Sequence, residues 1–206
     1  MKIIRQVKQY GIINSFSRGL KLFLRICGIN IESYILYKQH INLSKIGKVE
    51  INPNYKIKKL NYLDYKNSKG LKFDEFKLNI FINRFDCSTY EAYGIYDSEK
   101  LIYSSWISIK QLEVSMNTLD MKLNSNEGLL LDIITHPDYR RQGLHNYMNI
   151  YCLRRIKELG KAKAVVMVLK ENVPAIKSQE RSGFRKSKKI NFYEIWGTKQ
   201  IKIKKF

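Results

Sequence analysis

Proline and cysteine are both scarce in this chain, with three of each among 206 residues. Cys27, Cys87 and Cys152 stand far apart, with no C-x-x-C pair and no histidine cluster beside them. An odd, dispersed set excludes a disulfide framework and a Cys/His zinc site, and it fits a reducing cytoplasm. No metal centre is expected. Cys152 falls inside an apolar helical stripe and reads as a core residue. No apolar run approaches the roughly 18 residues of a membrane span. The start also lacks a compact apolar stretch followed by a small-residue cleavage site, so the protein reads as not exported.

Acidic residues are short as well: 18 Asp and Glu face 38 Lys and Arg, a net charge of +20. That excess draws anionic partners over long range, whether nucleic acid, acidic lipid or a polyphosphate cofactor, without choosing among them. A composition heavy in Ile, Asn and Lys would also follow from AT-rich coding. No recognisable nucleic-acid module is present. What the chain has in quantity is apolar and aromatic: 44% hydrophobic residues, 12% aromatic, 14 of them Tyr. That is enough for one folded domain with a core, plus an attachment.

The first thirty residues carry no acid before Glu32, while Ile3, Val7, Ile13, Phe16, Leu20, Phe23 and Cys27 recur at helical intervals beside Lys2, Arg5, Lys8, Arg18, Lys21 and Arg25. Gly11 and Gly19 predict two shorter helices or a kink. The segment either docks on the body or lies on an anionic membrane surface as a peripheral contact. "SYILYKQHINL" reads as a strand and turn, "NPNY" as a break, and "YKIKKLNYLD" as a strand entering a loop. "DEFKLNIFINRF" predicts a helix with Phe76, Ile80, Phe81 and Phe85 on one face. "STYEAYGIY" and "KLIYSSWISI" predict strands joined by a hairpin at "DSEK". "EVSMNTLDMKLNSNEG" is a surface loop or a third hairpin. "LLLDIIT" and "AKAVVMVL" are buried strands by composition. Between them a helix places Leu144, Met148, Tyr151, Cys152, Ile156 and Leu159 on one stripe and ends at Gly160 with cations near its C-terminus. "NVPAIKSQERSGF" predicts a short helix opened by Pro174 and stopped by Gly183. "FYEIWG" reads as the last strand. The division this suggests is an N-terminal basic helix and strand extension over 1–52 and a main domain over 53–206.

"DIITHPDYRRQGLHNYM", from Asp132 to Met148, holds the chemistry. A buried strand that runs through a short loop into a helix start leaves backbone N–H groups pointing outward at the positive end of the helix dipole. Gly143 lets a phosphate approach the main chain closely, and Arg140 and Arg141 add charge. The order that follows is helix, strand, short helix carrying Asn172, then Gly183-Phe184 and a further strand.

That ordered set resembles the GNAT superfamily of acyl-CoA-dependent N-acetyltransferases. "THPDYRRQGLH" is similar to its pyrophosphate loop at Arg140 and Gly143, and departs from it at His145, where the pattern has Gly or Ala. "NVPAIKSQERSGF" is similar to the following motif at Asn172, Ala175 and the Gly-Phe pair. The likeness runs from about Tyr55 to Gly197, with its specific part between Leu129 and Phe184, and does not explain the first fifty residues. It implies a mixed α/β fold, with a central, mostly antiparallel sheet flanked by helices, to which the periodicity of the first residues adds an extra helical segment in front.

It also implies roles. The N–H groups of Arg141, Gln142, Gly143, Leu144 and His145 would hold the pyrophosphate of acetyl-CoA, with charge from Arg140 and Arg141. The strand Asp132 to Thr135, including Ile133 and Ile134, would splay from the strand Ala164 to Leu169, and the pantetheine arm would pair with its exposed edge and meet Asn172. The splayed strand would present the thioester carbonyl to a backbone N–H. Direct attack by a primary amine needs a proton acceptor. Asp132 and Glu127 are the nearest acids, though the first also reads as bonded to loop backbone and the second as a solvated turn residue. Where many members place a thiolate-protonating tyrosine this chain has Gln179, which cannot act as an acid; Ser178, Tyr147, Tyr151 or Tyr193 could serve, or the thiolate could leave unaided. The acceptor would be a small-molecule amine, for which a nucleotide-linked amino sugar suits the basic residues and Tyr90, Tyr93, Tyr96, Tyr103, Trp106 and Trp196, unless those aromatics are core. The alternative is the same fold used to bind nucleic acid or a membrane surface with little catalysis.

Overall fold

The structure is a computed structural model, and it describes residues 24–45, 49–113 and 120–206. The basic segment over residues 1–23 lies outside them. The elements in chain order are β1 (Ile29–His40), β2 (Tyr55–Lys59), α1 (Tyr62–Lys66), α2 (Glu75–Phe85), β3 (Tyr90–Asp97), β4 (Lys100–Ser108), β5 (Gln111–Glu113), β6 (Asp120–Lys122), β7 (Glu127–Thr135), α3 (Leu144–Glu158), β8 (Lys163–Leu169), α4 (Val173–Arg181), β9 (Arg185–Ile195) and β10 (Thr198–Lys205). This is a mixed α/β fold with a large, mostly antiparallel sheet flanked by helices. None of the described helices is long and apolar enough to cross a membrane. The chain divides into two compact units, residues 1–38 with 166–206, and residues 39–165.

In the unit over 39–165, β2, β3, β4 and β7 form antiparallel ladders in that order. Successive residues of β4 point to opposite faces, and the two faces are covered by different helices. Trp106 and Ser104 look toward α1 and α2: the ring of Tyr65 stacks on Trp106 at 5.6 Å and its hydroxyl meets Ser104 at 2.7 Å. Phe81 and Phe85 close over Trp106 at 5.0 and 4.7 Å. Ser105, between them in sequence, faces α3 and meets the Cys152 thiol at 3.5 Å. Cys152 is thus the core residue its stripe predicts, and burial pushes its thiol up to about 12. The stripe holds for Leu144, Met148 and Ile156, all buried. The amide hydrogens of Ala162 and Lys163 both reach the Asn126 carbonyl, at 2.9 and 3.0 Å, so α3 returns the chain to the end at which β7 began.

The expected face of α2 needs correction at one residue. Phe76 is 54% exposed in the first turn, while Arg84 is buried in its place on the inner face, with its guanidinium over the rings of Phe81, Tyr90 and Trp106. Helix α1 stands where the sequence reads as loop. Its start is a reciprocal capping box, Asn61 accepting from the Asp64 N–H and Asp64 from the Asn61 N–H. The polar stretch after β4 does form a third antiparallel pair, β5 with β6.

In the other unit, β1, β9 and β10 form an antiparallel set. Phe192, Ile190, Tyr34 and Leu36 share one buried face. The strand read as the last, "FYEIWG", is the end of β9, and β10 follows it after a two-residue turn. β10 carries Lys199, Lys202, Lys204 and Lys205, and such charge along an edge strand both protects it from mispairing and disguises it in sequence. Helix α4 begins as expected, with the Asn172 side chain accepting from the Ala175 N–H at 3.3 Å, and Gly183 beyond its end has φ +89°.

Candidate functional site

The loop after β7 is shaped by two left-handed residues. Thr135 pairs with Tyr103, the His136 N–H bonds to the Ile102 carbonyl at 2.8 Å, and a 3₁₀ turn follows over Pro137–Tyr139. Arg141 then has φ +67° and Gly143 φ +78°. Successive residues of unlike handedness aim backbone N–H groups to one side, which is how main chain makes an anion-binding concavity. A Cβ at Gly143 would meet nothing within 4 Å. Glycine is therefore required by its dihedral and not by crowding, and the space above it is open.

Helix α3 opens on this glycine with no side-chain cap and no acid in its first turn, while Arg155 and Lys157 lie in its last. Protein helices ordinarily begin with Ser, Thr, Asp or Asn to satisfy the first N–H groups. Here no side chain among the described residues caps the helix start. The loop is tied down from its flanks: the Tyr139 hydroxyl donates to Asp97 at 2.7 Å, the Tyr55 hydroxyl donates to the side-chain amide oxygen of Gln142 at 2.9 Å, and Lys100 lies 5.0 Å over the Tyr139 ring. The Asp97 bond raises the pKa of the Tyr139 phenol. Arg140 turns its Nε toward the Thr135 carbonyl at 3.4 Å, and Arg141 projects from the exposed loop.

One strand register shift precedes the loop. Between the pairs Trp106 with Leu131 and Ser104 with Ile134, two residues of β7, Asp132 and Ile133, oppose the single residue Ser105. Asp132 sits in this bulge at φ +48°. Its carboxylate is bound by Lys77 through one oxygen and by Arg84 at 2.6 Å through the other. Burial raises its pKa, but the charges and hydrogen bonds of Arg84 and Lys77 outweigh that, and the net effect is to hold it below the ordinary carboxylate range.

The structure therefore brings together Ile133, Ile134, Thr135, Arg140, Arg141, Gln142, Gly143, Leu144 and His145 on one strand end, loop and helix start. Asp132 is three residues before Thr135, about 10 Å along the strand. Glu127 opens β7 at the other end, about 26 Å from Thr135 along the strand; it is buried, and one of its oxygens accepts from the Asn124 N–H at 3.4 Å. Asn172 caps α4 in the other unit. Gln179 is buried there too, with its side-chain amide oxygen unpartnered among the described residues. Lys77, Arg84, Asp97, Tyr55 and Tyr139 support the site but escaped the sequence reading. The spacing of Arg84 on α2, in register with Phe81 and Phe85, was the one signal available. Of the aromatics, Tyr93, Tyr103 and Trp106 are buried, Tyr90 and Tyr96 half-buried, and Trp196 exposed.

A mixed α/β sheet that leads a bulged strand through a left-handed loop into an uncapped helix defines a class of strand–loop–helix folds. The particular fold is that of the GNAT acetyltransferases. An acetyltransferase of the GNAT family from Colwellia psychrerythraea superposes with a TM-score of 0.55 at 12% identity, over 84% of this chain and 60% of its own. A Novosphingobium aromaticivorans protein assigned to the same family gives 0.53 at 13%, over 80% and 65%. A Drosophila protein gives 0.58 at 16%, over 89% and 58%. This chain thus spans about three fifths of the length of these structures. No family model and no curated protein matches the sequence.

Proposed function

We propose that this protein is an acetyl-CoA-dependent N-acetyltransferase acting on a small-molecule primary amine. The observation that carries the reading is the start of α3, uncapped, free of acid and preceded by left-handed Arg141 and Gly143. The residues fit a diphosphate: the left-handed loop and uncapped helix start would supply main-chain donors, Arg140 and Arg141 bring charge, and the space over Gly143 is open. Acetyl-CoA, when bound, supplies an activated acetyl thioester. The chain's contribution is to hold its pyrophosphate on residues 141–145, to align its arm along Ile133, Ile134 and Thr135, and to present the bulged backbone of β7 to the reacting end.

Of the two acids, Asp132 lies on the strand toward the loop. Both of its oxygens are already engaged by cations, so it is a weak proton acceptor, and in this reading it fixes the bulge while solvent takes the proton of the amine. Glu127, at the far end of β7, is assigned no step. Acceptors to screen begin with nucleotide-linked amino sugars, although burial of Tyr103 and Trp106 leaves fewer rings to stack on one.

The test is a pair of substitutions at one position. Asn and Asp both tolerate left-handed backbone, so Gly143→Asn and Gly143→Asp should both fold. A carboxylate about 5 Å from a phosphate at an effective dielectric near 20 costs about 3 kcal/mol. Gly143→Asp should therefore weaken acetyl-CoA binding roughly 100-fold relative to Gly143→Asn. Equal affinities would remove the loop assignment.

A further inference from the structure

The acetyl-transfer reading makes no use of the hairpin between β9 and β10. Ile195 pairs with Thr198, so the turn consists of Trp196 and Gly197 alone. Both have positive φ, +46° and +83°. Two-residue hairpin turns of this kind favour Asn, Asp or Gly at both positions, and a bulky aromatic there is an outlier that points toward function. Trp196 is also 81% exposed; Ile26, two residues before Gly28, is 79% exposed and Ile195 43%. It is not loose. Its backbone N–H donates to the Gly28 carbonyl at 2.9 Å and its indole N–H to the Cys27 carbonyl at 3.2 Å. Its ring lies so close to Gly28 that a Cβ there would stand 2.8 Å from Cδ1.

Charge is concentrated in the same unit. Residues 1–38 and 166–206 hold 18 Lys and Arg against 4 Asp and Glu, so 79 residues carry +14 of the chain's +20. Within the hairpin ladder, Lys189, Tyr193 and Ile195 of β9 share a face with Gln200, Lys202 and Lys204 of β10. Lys202 rests 5.8 Å over the Tyr193 ring, and Lys189, Lys202 and Lys204 have no ion pair among the described residues.

We propose that this hairpin docks the protein on an anionic lipid bilayer, with Trp196 seated among the headgroups between Ile26 and Ile195 and the Lys189, Lys202 and Lys204 face lying on acidic lipid. Indole combines an apolar body with a polar edge and favours the membrane interface. Lysine stems lie along apolar surface while their ammonium groups reach phosphate. Single-stranded nucleic acid would call for successive flat rings in a basic groove, whereas Ile195, next to Trp196 in the hairpin, and Ile26, two residues before Gly28, are exposed aliphatic residues.

Intrinsic fluorescence tests this on the full chain. Trp106 is fully buried, so the solvent-sensitive signal belongs to Trp196. The chain is titrated with vesicles of phosphatidylcholine and phosphatidylglycerol, with phosphatidylcholine vesicles, and with transfer RNA. The expected result is a blue shift and protection from iodide quenching with the acidic vesicles alone. Trp196→Asn, which suits the turn and so keeps the fold, should lose the shift and weaken partitioning about tenfold or more. Replacing Lys189, Lys202 and Lys204 together with Gln should weaken it by about 100-fold. The proposal is overturned if acidic vesicles give no shift, if Trp196→Asn partitions like the unaltered chain, or if the shift comes with RNA and not with lipid.

Discussion

Replacing Asp132 with Asn isolates the ion cluster behind the candidate site. Asn tolerates left-handed backbone as well as Asp does, so the bulge at φ +48° is not strained by the change. What is lost is the charge. The side chain of Arg84 is only 6% exposed and that of Lys77 25%, against 19% for Asp132. Removing one partner of a buried pair leaves an uncompensated ion and costs about 3–5 kcal/mol, and the partial exposure of Asp132 places this case near 3. Lys77→Met should cost less than about 1 kcal/mol, because the Arg84–Asp132 pair left behind is neutral whereas the native cluster carries an excess positive charge. Asp132→Ala should cost roughly 1 kcal/mol more than Asp132→Asn, from the left-handed conformation. Urea unfolding followed by circular dichroism at neutral pH measures all three as shifts in midpoint at constant slope. An Asp132→Asn cost below about 1 kcal/mol, or a Lys77→Met cost equal to it, would refute the reasoning.

Gly70→Ala should destabilise by roughly 3 kcal/mol, because the new Cβ would lie 2.1 Å from the Leu101 carbonyl oxygen, whereas Gly160→Ala, at φ +77° with nothing within 4 Å, should cost only about 1 kcal/mol; similar losses in thermal or urea unfolding would contradict the close approach. Stability should hold from pH 7 down to the ordinary carboxylate range and fall below it. The Arg155 hydrogen bonds hold Glu91 down to about 2 and Arg84 and Lys77 hold Asp132 low, so both contributions are present above the unfolded pKa and lost as protons bind. Urea midpoints unchanged between pH 5 and the acid limb would count against both pairs. Gln179→Met should raise stability by about 1 kcal/mol by removing a buried oxygen without a partner and should alter turnover only modestly; a stability loss, or a turnover loss of orders of magnitude, would show that the amide has a partner of its own.

The most legible parts of the fold were those specified locally. Gly143 and Gly160 bracket α3 in sequence and in structure, Pro174 and Gly183 do the same for α4, and the turn after Asp97 joins β3 to β4 as the polar residues there predict. The loop was legible for the same reason, since Arg140, Arg141 and Gly143 are neighbours in the chain. What sequence could not supply is set by partners far away. Ser33 reaches Asn191 across 158 positions in the β1–β9 ladder, and no local pattern announces that pairing. The bulge at Asp132 lacks the glycine that would signal it, and its stability comes from two cations on α2, about fifty residues earlier. Arg84 breaks the rule that long charged residues stay outside because Asp132 and three aromatic rings receive it. β10 was hidden because its alternation is between lysine and isoleucine, on an edge strand where water covers most of what it presents.

The most direct test of the central claim is calorimetric titration of the purified protein with acetyl-CoA, beside CoA and ATP at one ionic strength. The uncapped helix and left-handed loop predict saturable binding of acetyl-CoA that ATP does not match and that Gly143→Asp weakens roughly 100-fold relative to Gly143→Asn. Binding that is absent, or that tracks phosphate charge equally across the three ligands, would contradict the acetyltransferase reading and leave a basic protein that shares only the fold.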